Sequence, residues 1–314
     1  MKKLFLFTLL SILLVQSGYS QSFIKEAYPF AQKDGQTLYM DRYYSRQMEG
    51  KTPCILFVFG GAFARGARDV EKYIPYFDYF VENGFSVVSI DYRLGLKDVD
   101  FQNMNEEQFI ARFVKTIDMA VEDLFDATNY ILQNADNWDI DKNMIIINGS
   151  SAGAVTVLQG EYAVRNSTWS SSKLPSDFNY AGVIAFAGAI FTMDGKLNWQ
   201  IQPSPIMMFH GDADVQVPYG SLEFANFGFY GAETISENLK INNYPYWFYS
   251  FKNYGHQIAS DPMQNNKEDV LSFINQFIKN KDQYIIRTDL EQIGKPSVNK
   301  NFDLFDYARG NFDR

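Results

Sequence analysis

A single α/β domain built on a mostly parallel sheet is what this sequence predicts, and three observations carry that reading. Continuously apolar runs recur along the chain, among them PCILFVF (53–59), FSVVSID (85–91) and MIIIN (144–148). Such runs suit central strands covered on both faces, where no side chain meets water. Segments of helical period lie between them, and alternation of the two argues for helices packed on both sides of one sheet. After the first twenty residues no second long apolar span, repeat or low-complexity linker divides the chain, and a domain of this length is ordinary for α/β architectures.

The elements follow in order. Residues 28–44 alternate better than the later runs and contain the turn signal Lys33-Asp34-Gly35, which predicts an edge hairpin ending in LYMDRYY (38–44). PCILFVF is the next strand. Residues 69–83 place apolar side chains at 70, 73, 74, 77, 80 and 81 and stop at Gly84, the pattern of an amphipathic helix with a glycine stop. FSVVSID follows, and then the polar stretch LGLKDVDFQNMNEE (94–107), read as a loop over the carboxyl edge of the sheet. A long helical period covers 108–135, MIIIN is a strand, and 151–164 is a helix. AGVIAFA (181–187), PIMMFH (205–210) and YPYWFYSF (244–251) supply three more strands, and 267–279 supplies the last helix. Residues 285–314 are mixed, with aromatics at 302, 305, 307 and 312, and are read as an extension laid against a domain spanning 21–284.

Composition narrows the partners. The chain has 28 basic and 37 acidic residues, a net charge of −9, without a Lys/Arg cluster. Nucleic acid is therefore excluded as a partner, because phosphate contacts dominate that affinity. The opening MKKLFLFTLLSILLVQSGYS joins two lysines, a twelve-residue apolar run and small residues before Gln21. That is the pattern of a secretory signal peptide cleaved near Ser20, and the run falls short of the roughly 20 residues that span a bilayer. A secreted or periplasmic bacterial protein with no stable membrane anchor is expected. Cys54 is the sole cysteine, lies in a strand, and reads as a small buried hydrophobe.

The chemistry centres on GSSAG (149–153), which follows a predicted strand and opens a predicted helix. That setting is the one G-x-S-x-G needs to present Ser151 as a nucleophile. Gly149 and Gly153 let strand and helix pass closely, and the new helix directs its free N–H groups toward an anion. FVFGGAF (57–63) ends another strand with Gly60, Gly61 and Ala62, a bare loop able to turn backbone N–H groups on a developing oxyanion. A serine at neutral pH needs a base titrating near 7, and the chain has only His210 and His256. His256 comes after the last strand run and fits the order serine, acid, histidine; His210 does not and reads as a supporting residue. For the acid, Asp214 in HGDADVQVP is favoured, with Asp212 as a turn residue bonding its own backbone and Asp194 as the remaining candidate.

GSSAG, FGGAF, HGDADVQVP and NYGHQ together resemble the carboxylesterase and hormone-sensitive-lipase-like branch of the α/β-hydrolase superfamily, in particular its small secreted bacterial esterases. DYRL (91–94) and the run AVEDLFDATNYILQNADNWDID share the likeness, which covers roughly residues 28 to 280. The resemblance implies a mostly parallel sheet of about eight strands with little or no lid domain. It implies Ser151 as nucleophile, Asp214 as orienting acid and His256 as base, with an oxyanion hole from the N–H groups of Gly61, Ala62 and Ala152. Phe59 stands where the family usually has a histidine before its glycines, and Ala62 replaces the third glycine. Export adds a substrate expectation, acetyl or feruloyl esters of polysaccharides or similar small esters, and a Ser-His-Asp mechanism needs no metal or organic cofactor. Aromatics near 63, 92, 101 and 254 are candidates for a pocket lining. A peptidase or amidase of the prolyl-oligopeptidase type and a non-catalytic binding protein of the same fold are the competing readings.

Overall fold

The computed structural model describes residues 23–101, 104–167, 173–193, 195–224 and 227–298. The expected signal peptide (1–20), Asp194 and the end of the tail lie outside the described residues.

The hairpin forms first, from β1 (Ile24–Lys33) and β2 (Gln36–Tyr44), paired antiparallel around Asp34 and Gly35, both with positive φ. β3 (Thr52–Val58), β4 (Ser86–Ile90), β5 (Ile140–Ser150), β6 (Gly182–Phe186), β8 (Ile206–Gly211), β11 (Tyr246–Lys252) and β12 (Ile285–Glu291) complete one sheet. Its order is β1-β2-β4-β3-β5-β6-β8-β11-β12, antiparallel at the hairpin and parallel from β4 onward. The sheet therefore has nine strands rather than about eight. The extra one is β12, whose residues were read as the start of the extension. It pairs parallel with β11 at an edge and stays largely exposed, so it lacks the apolar run that marks the inner strands.

A second, three-stranded antiparallel sheet joins β7 (Ala189–Thr192), β10 (Phe227–Gly231) and β9 (Ser221–Phe224). The sequence reading has no counterpart for it. Its strands are four or five residues long, too short for a period to emerge.

Helices α1 (Ile74–Glu82), α2 (Glu106–Asn134), α3 (Ala152–Arg165), α4 (Ala232–Ile241), α5 (Pro262–Asn265) and α6 (Lys267–Phe273) pack around the main sheet. α2 begins with Asn105, whose side chain accepts the Gln108 N–H while Gln108 bonds back, a capping box that ends the 94–105 loop. α3 crosses the middle of the molecule and is buried along most of its length, as befits a helix that must hold the serine against β5.

Two motifs of the resemblance meet in the fold. Arg93 of DYRL is buried and holds Asp123 of α2 at 2.9 Å, Glu122 at 2.7 Å and Asp34 of the hairpin turn at 3.0 Å. Asp123 also accepts the Arg93 N–H at 2.7 Å. One guanidinium thus ties the exit of β4 to α2 and to the edge hairpin, using the forked donor geometry that lysine lacks.

Candidate active site

β5 ends at Ser150 and α3 begins at Ala152, so Ser151 is the hinge between them. Its backbone sits at φ 53°, ψ −121°, a conformation that a non-glycine residue adopts only when its surroundings impose it. The neighbours show how. A Cβ on Gly149 would lie 2.2 Å from the Gly153 carbonyl oxygen, and one on Gly153 would lie 2.0 Å from that of Val58. Both glycines are needed for close approach, Gly149 to the helix and Gly153 to β3. The Ser151 N–H donates to Phe186 O at 2.8 Å, and its carbonyl accepts the first turn's Val155 N–H at 2.9 Å.

Ser151 Oγ lies 2.7 Å from His256 Nε2, across 105 residues of chain. His256 Nδ1 lies 2.7 Å from Asp214 Oδ2. A carboxylate only accepts, so Nδ1 carries the hydrogen and Nε2 faces the serine hydroxyl as an acceptor. His256 starts the turn after β11, and Asp214 sits in the turn after β8. Asp214 is 4% exposed and richly bonded: Oδ1 accepts the N–H groups of Gln216 (2.8 Å) and Val217 (3.1 Å). Burial pushes its carboxyl up, but the charge of His256 and the hydrogen bonds from both histidines outweigh this and hold it well below the usual carboxylate range.

His210 is fully buried at the end of β8. Its Nε2 lies 3.2 Å from the same Asp214 Oδ2 and 3.3 Å from Val217 O. It therefore braces the same carboxylate oxygen that His256 contacts. Asp212, expected as a turn residue, also reaches the neighbouring turn. Its Oδ1 accepts the Asn253 N–H at 2.6 Å, and its own N–H donates to Phe251 O at 3.0 Å. Asp212 thus knits the turn carrying Asp214 to the turn carrying His256. Ser150 was passed over in reading the motif. Its buried Oγ donates to Ala259 O at 2.7 Å, three residues past His256, and so ties the serine hinge to the histidine turn.

The glycine loop lies beside this set. Gly60 must be bare, because a Cβ there would lie 2.8 Å from Ser150 O and 3.0 Å from Ser151 Cβ. Gly61 has φ 141°, Ala62 φ 54° and Phe63 φ 57°, a tight reversal closed by Ala64 and Arg65 N–H groups donating to Gly61 O. The N–H groups of Gly61, Ala62 and Ala152 give their hydrogens to no acceptor among the described residues. Gly60, Gly61, Ala62, Ser151 and His256 line one cavity of about 320 Å³; Ala152 is buried behind the serine. Phe59 supports the loop by packing. Its ring lies 4.6 Å from that of Tyr92, whose hydroxyl donates to Phe59 O at 3.1 Å. Of the aromatics expected along the pocket, Phe63 and Tyr92 are buried in the core, and neither Phe101 nor Tyr254 borders the cavity. Tyr73 does. A larger groove of about 860 Å³ runs along α2 from Asn105 to Asp118, but it contains neither serine nor histidine.

Comparison with known proteins bears on the fold that carries these residues. The family model described as BD-FAE matches residues 40–193. The esterase Est2 of the planctomycete Thermogutta terrifontis, with propionate bound, superposes with a TM-score of 0.58 at 18% identity, covering 81% of this chain and 94% of that one. Its native form gives 0.57 at 17% identity over 86% and 95% of the two chains. The chain has the α/β-hydrolase fold. The same esterase phosphoramylated by tabun matches this α/β-hydrolase with a TM-score of 0.58 at 17% identity, over 81% and 94% of the chains. No curated protein matches it. The family match and the shared fold point to a hydrolase of the esterase type, and Ser151 stands within hydrogen-bond reach of His256.

Proposed function

We propose that this α/β-hydrolase cleaves small carboxylic esters through an acyl-enzyme on Ser151. The observation that carries the reading is the unbroken pair of 2.7 Å contacts from Ser151 Oγ to His256 Nε2 and from His256 Nδ1 to Asp214 Oδ2. His256 takes the hydroxyl proton as Ser151 attacks the ester carbonyl. The tetrahedral oxyanion meets the N–H groups of Gly61, Ala62 and Ala152, each worth about 3–4 kcal/mol where such donors have been removed elsewhere. His256 then protonates the leaving alcohol, and the acyl-enzyme forms. Water deprotonated by the same ring releases the acid. Asp214 holds the tautomer and stabilises the imidazolium while staying ionised itself. The proton transfers run through His256, which already contacts Ser151 and Asp214, and this chemistry calls on no metal or organic cofactor.

The cavity's size supports a short acyl group. At about 320 Å³ it is near the low end for ligand sites. The like-folded Thermogutta esterase holds propionate in one structure and butyrate in another. Acetyl esters, including those on polysaccharides, suit such a space, with feruloyl esters the larger alternative. The N-terminal leader supports export to the periplasm or exterior, where such polymers are met.

The test is turnover of aryl acetate, aryl butyrate, methyl ferulate and a peptide anilide by purified protein, together with labelling by a fluorophosphonate. Acetate turnover and a single label on Ser151 are expected, both lost in Ser151→Ala with the fold retained. Faster cleavage of the anilide than of every ester, or no label at all, would overturn the proposal.

A further inference from the structure

Among the described residues, the charged side chains on the wall of the candidate site are cations. Arg65 and Lys72 line the cavity that holds Ser151 and His256, and the carboxylate of Asp214 sits behind the histidine ring. Both side chains belong to exposed residues, and neither forms an ion pair among the described residues. What distinguishes them from the other exposed cations is their place on the wall of this cavity. Glu71 precedes Lys72 in sequence but does not border the cavity.

Arg65 is mounted on the glycine loop and Lys72 on the short turn that follows it. The Arg65 N–H donates to Gly61 O at 3.1 Å, which places Arg65 one turn beyond the expected oxyanion donors. A Cβ on Gly61 would lie 1.9 Å from Arg65 O, so the two backbones are in close contact. Lys72 belongs to the short turn Glu71–Tyr73 and lies 4.9 Å over the Tyr73 ring. The Tyr73 hydroxyl accepts the Gly60 N–H at 3.4 Å. The backbone of Arg65 and the Tyr73 ring under Lys72 thus place both residues on the cavity wall, and neither cation is paired with a carboxylate among the described residues. The N-terminus of α3 adds positive potential at the same place. Two unpaired cations in a cleft make a focused attraction for an anion, even on a chain of net charge −9.

We propose that the preferred ester carries an anionic oxygen group near the scissile bond, a carboxylate or a sulfate-type oxyanion, held by Arg65 and Lys72. This deepens the esterase reading and rests on it. A forked guanidinium favours a planar carboxylate, whereas lysine acts as a point charge for either group.

The test uses three aryl acetates of like size: 4-acetoxybenzoate, 4-acetoxybenzenesulfonate and neutral 4-acetoxybenzamide. Because their intrinsic reactivities differ, the readout is the ratio of kcat/KM for each anion to that for the amide. In Arg65→Gln/Lys72→Gln this ratio is expected to fall about tenfold, the sum of two partly exposed charge contacts. In Lys51→Gln/Lys142→Gln, which removes the same charge from the remote Asp136 cluster, it stays within twofold. In the wild type the ratio falls as salt rises from about 0.01 M to about 1 M, where the screening length shrinks from roughly 30 Å to 3 Å. A fall with both anions supports a general oxyanion site, and a fall with the benzoate alone supports carboxylate recognition. Active protein whose ratio moves equally in the two double variants, or ignores salt, overturns the inference and leaves the esterase reading standing. No turnover of any of the three esters overturns both.

Discussion

Replacing Gly153 by alanine tests the physical core of the site with a single methyl group. The new Cβ would lie 2.0 Å from Val58 O, 2.6 Å from Val58 C and 2.7 Å from Phe59 O. Ordinary contact at such a pair is about 3.4 Å, so the backbone of α3 and the end of β3 must separate by more than an ångström, and neither is a flexible side chain that can rotate away. Overpacking of this kind costs about 1–3 kcal/mol. For a domain of this size that lowers Tm by roughly 2–10 °C. The effect on rate should be the larger one. α3 starts beside Ser151 and β3 leads into Gly60 and Gly61, so the separation moves nucleophile and oxyanion loop apart. A misplacement of about 1 Å can cost on the order of a hundredfold in rate. The assay is kcat/KM on an aryl acetate beside a thermal melt, with Gly220→Ala as control, since a Cβ there meets nothing within 4 Å. The control should match wild type in both. If Gly153→Ala melts within about 1 °C of wild type and keeps kcat/KM within twofold, the close-approach argument is wrong.

The other predictions address the charge and the thiol. Asp214→Asn should lower kcat by about 10⁴ while leaving the fold intact, because an amide no longer fixes the His256 tautomer; a rate near wild type would move the acid elsewhere, with Asp194 the first to examine. The folded carboxyl of Asp214 is held below its unfolded value of about 3.9. Its stabilisation is therefore complete above that pH and is lost as pH falls toward the folded value. The urea midpoint of the wild type should accordingly drop faster than that of Asp214→Asn between about pH 5 and pH 3; parallel curves would contradict the assignment. Cys54 is fully buried and its thiol is pushed up to about 12, so iodoacetamide near neutral pH should leave the folded protein unlabelled and add one label in urea, as read by mass spectrometry.

How much of this was legible in the chain can be judged element by element. The inner strands announced themselves, because a strand covered on both faces must be apolar at every position. β3 and β6 are buried along nearly their whole length. The edge hairpin was legible from Asp34-Gly35, where the backbone needs positive φ. β12 was not, because a half-exposed edge strand such as IIRTDLE has no apolar run and owes its form to hydrogen bonds from β11. α4 was missed for a related reason: only Ala232, Ile235, Ser236 and Leu239 face inward, a stripe too thin to stand out among polar neighbours. In the site, the glycines around Ser151 were readable as steric necessities. The partners of Ser150 and Asp212 were not, since Ala259 and Asn253 are brought to them only by the return of the chain after β11.

By itself, then, the sequence determined the alternation of strand and helix, the bare turns at 60–61 and 149–153, and the small set of side chains able to exchange a proton near neutral pH. These follow from local rules, the reach of a Cβ and the chemistry of an imidazole. Only the tertiary structure decided that both histidines crowd one carboxylate oxygen, that Phe59 supports its loop by packing on Tyr92, and that two uncompensated cations face the cavity. Those facts depend on distances between segments tens to more than a hundred residues apart, and it is the burial of a shared core that sets such distances.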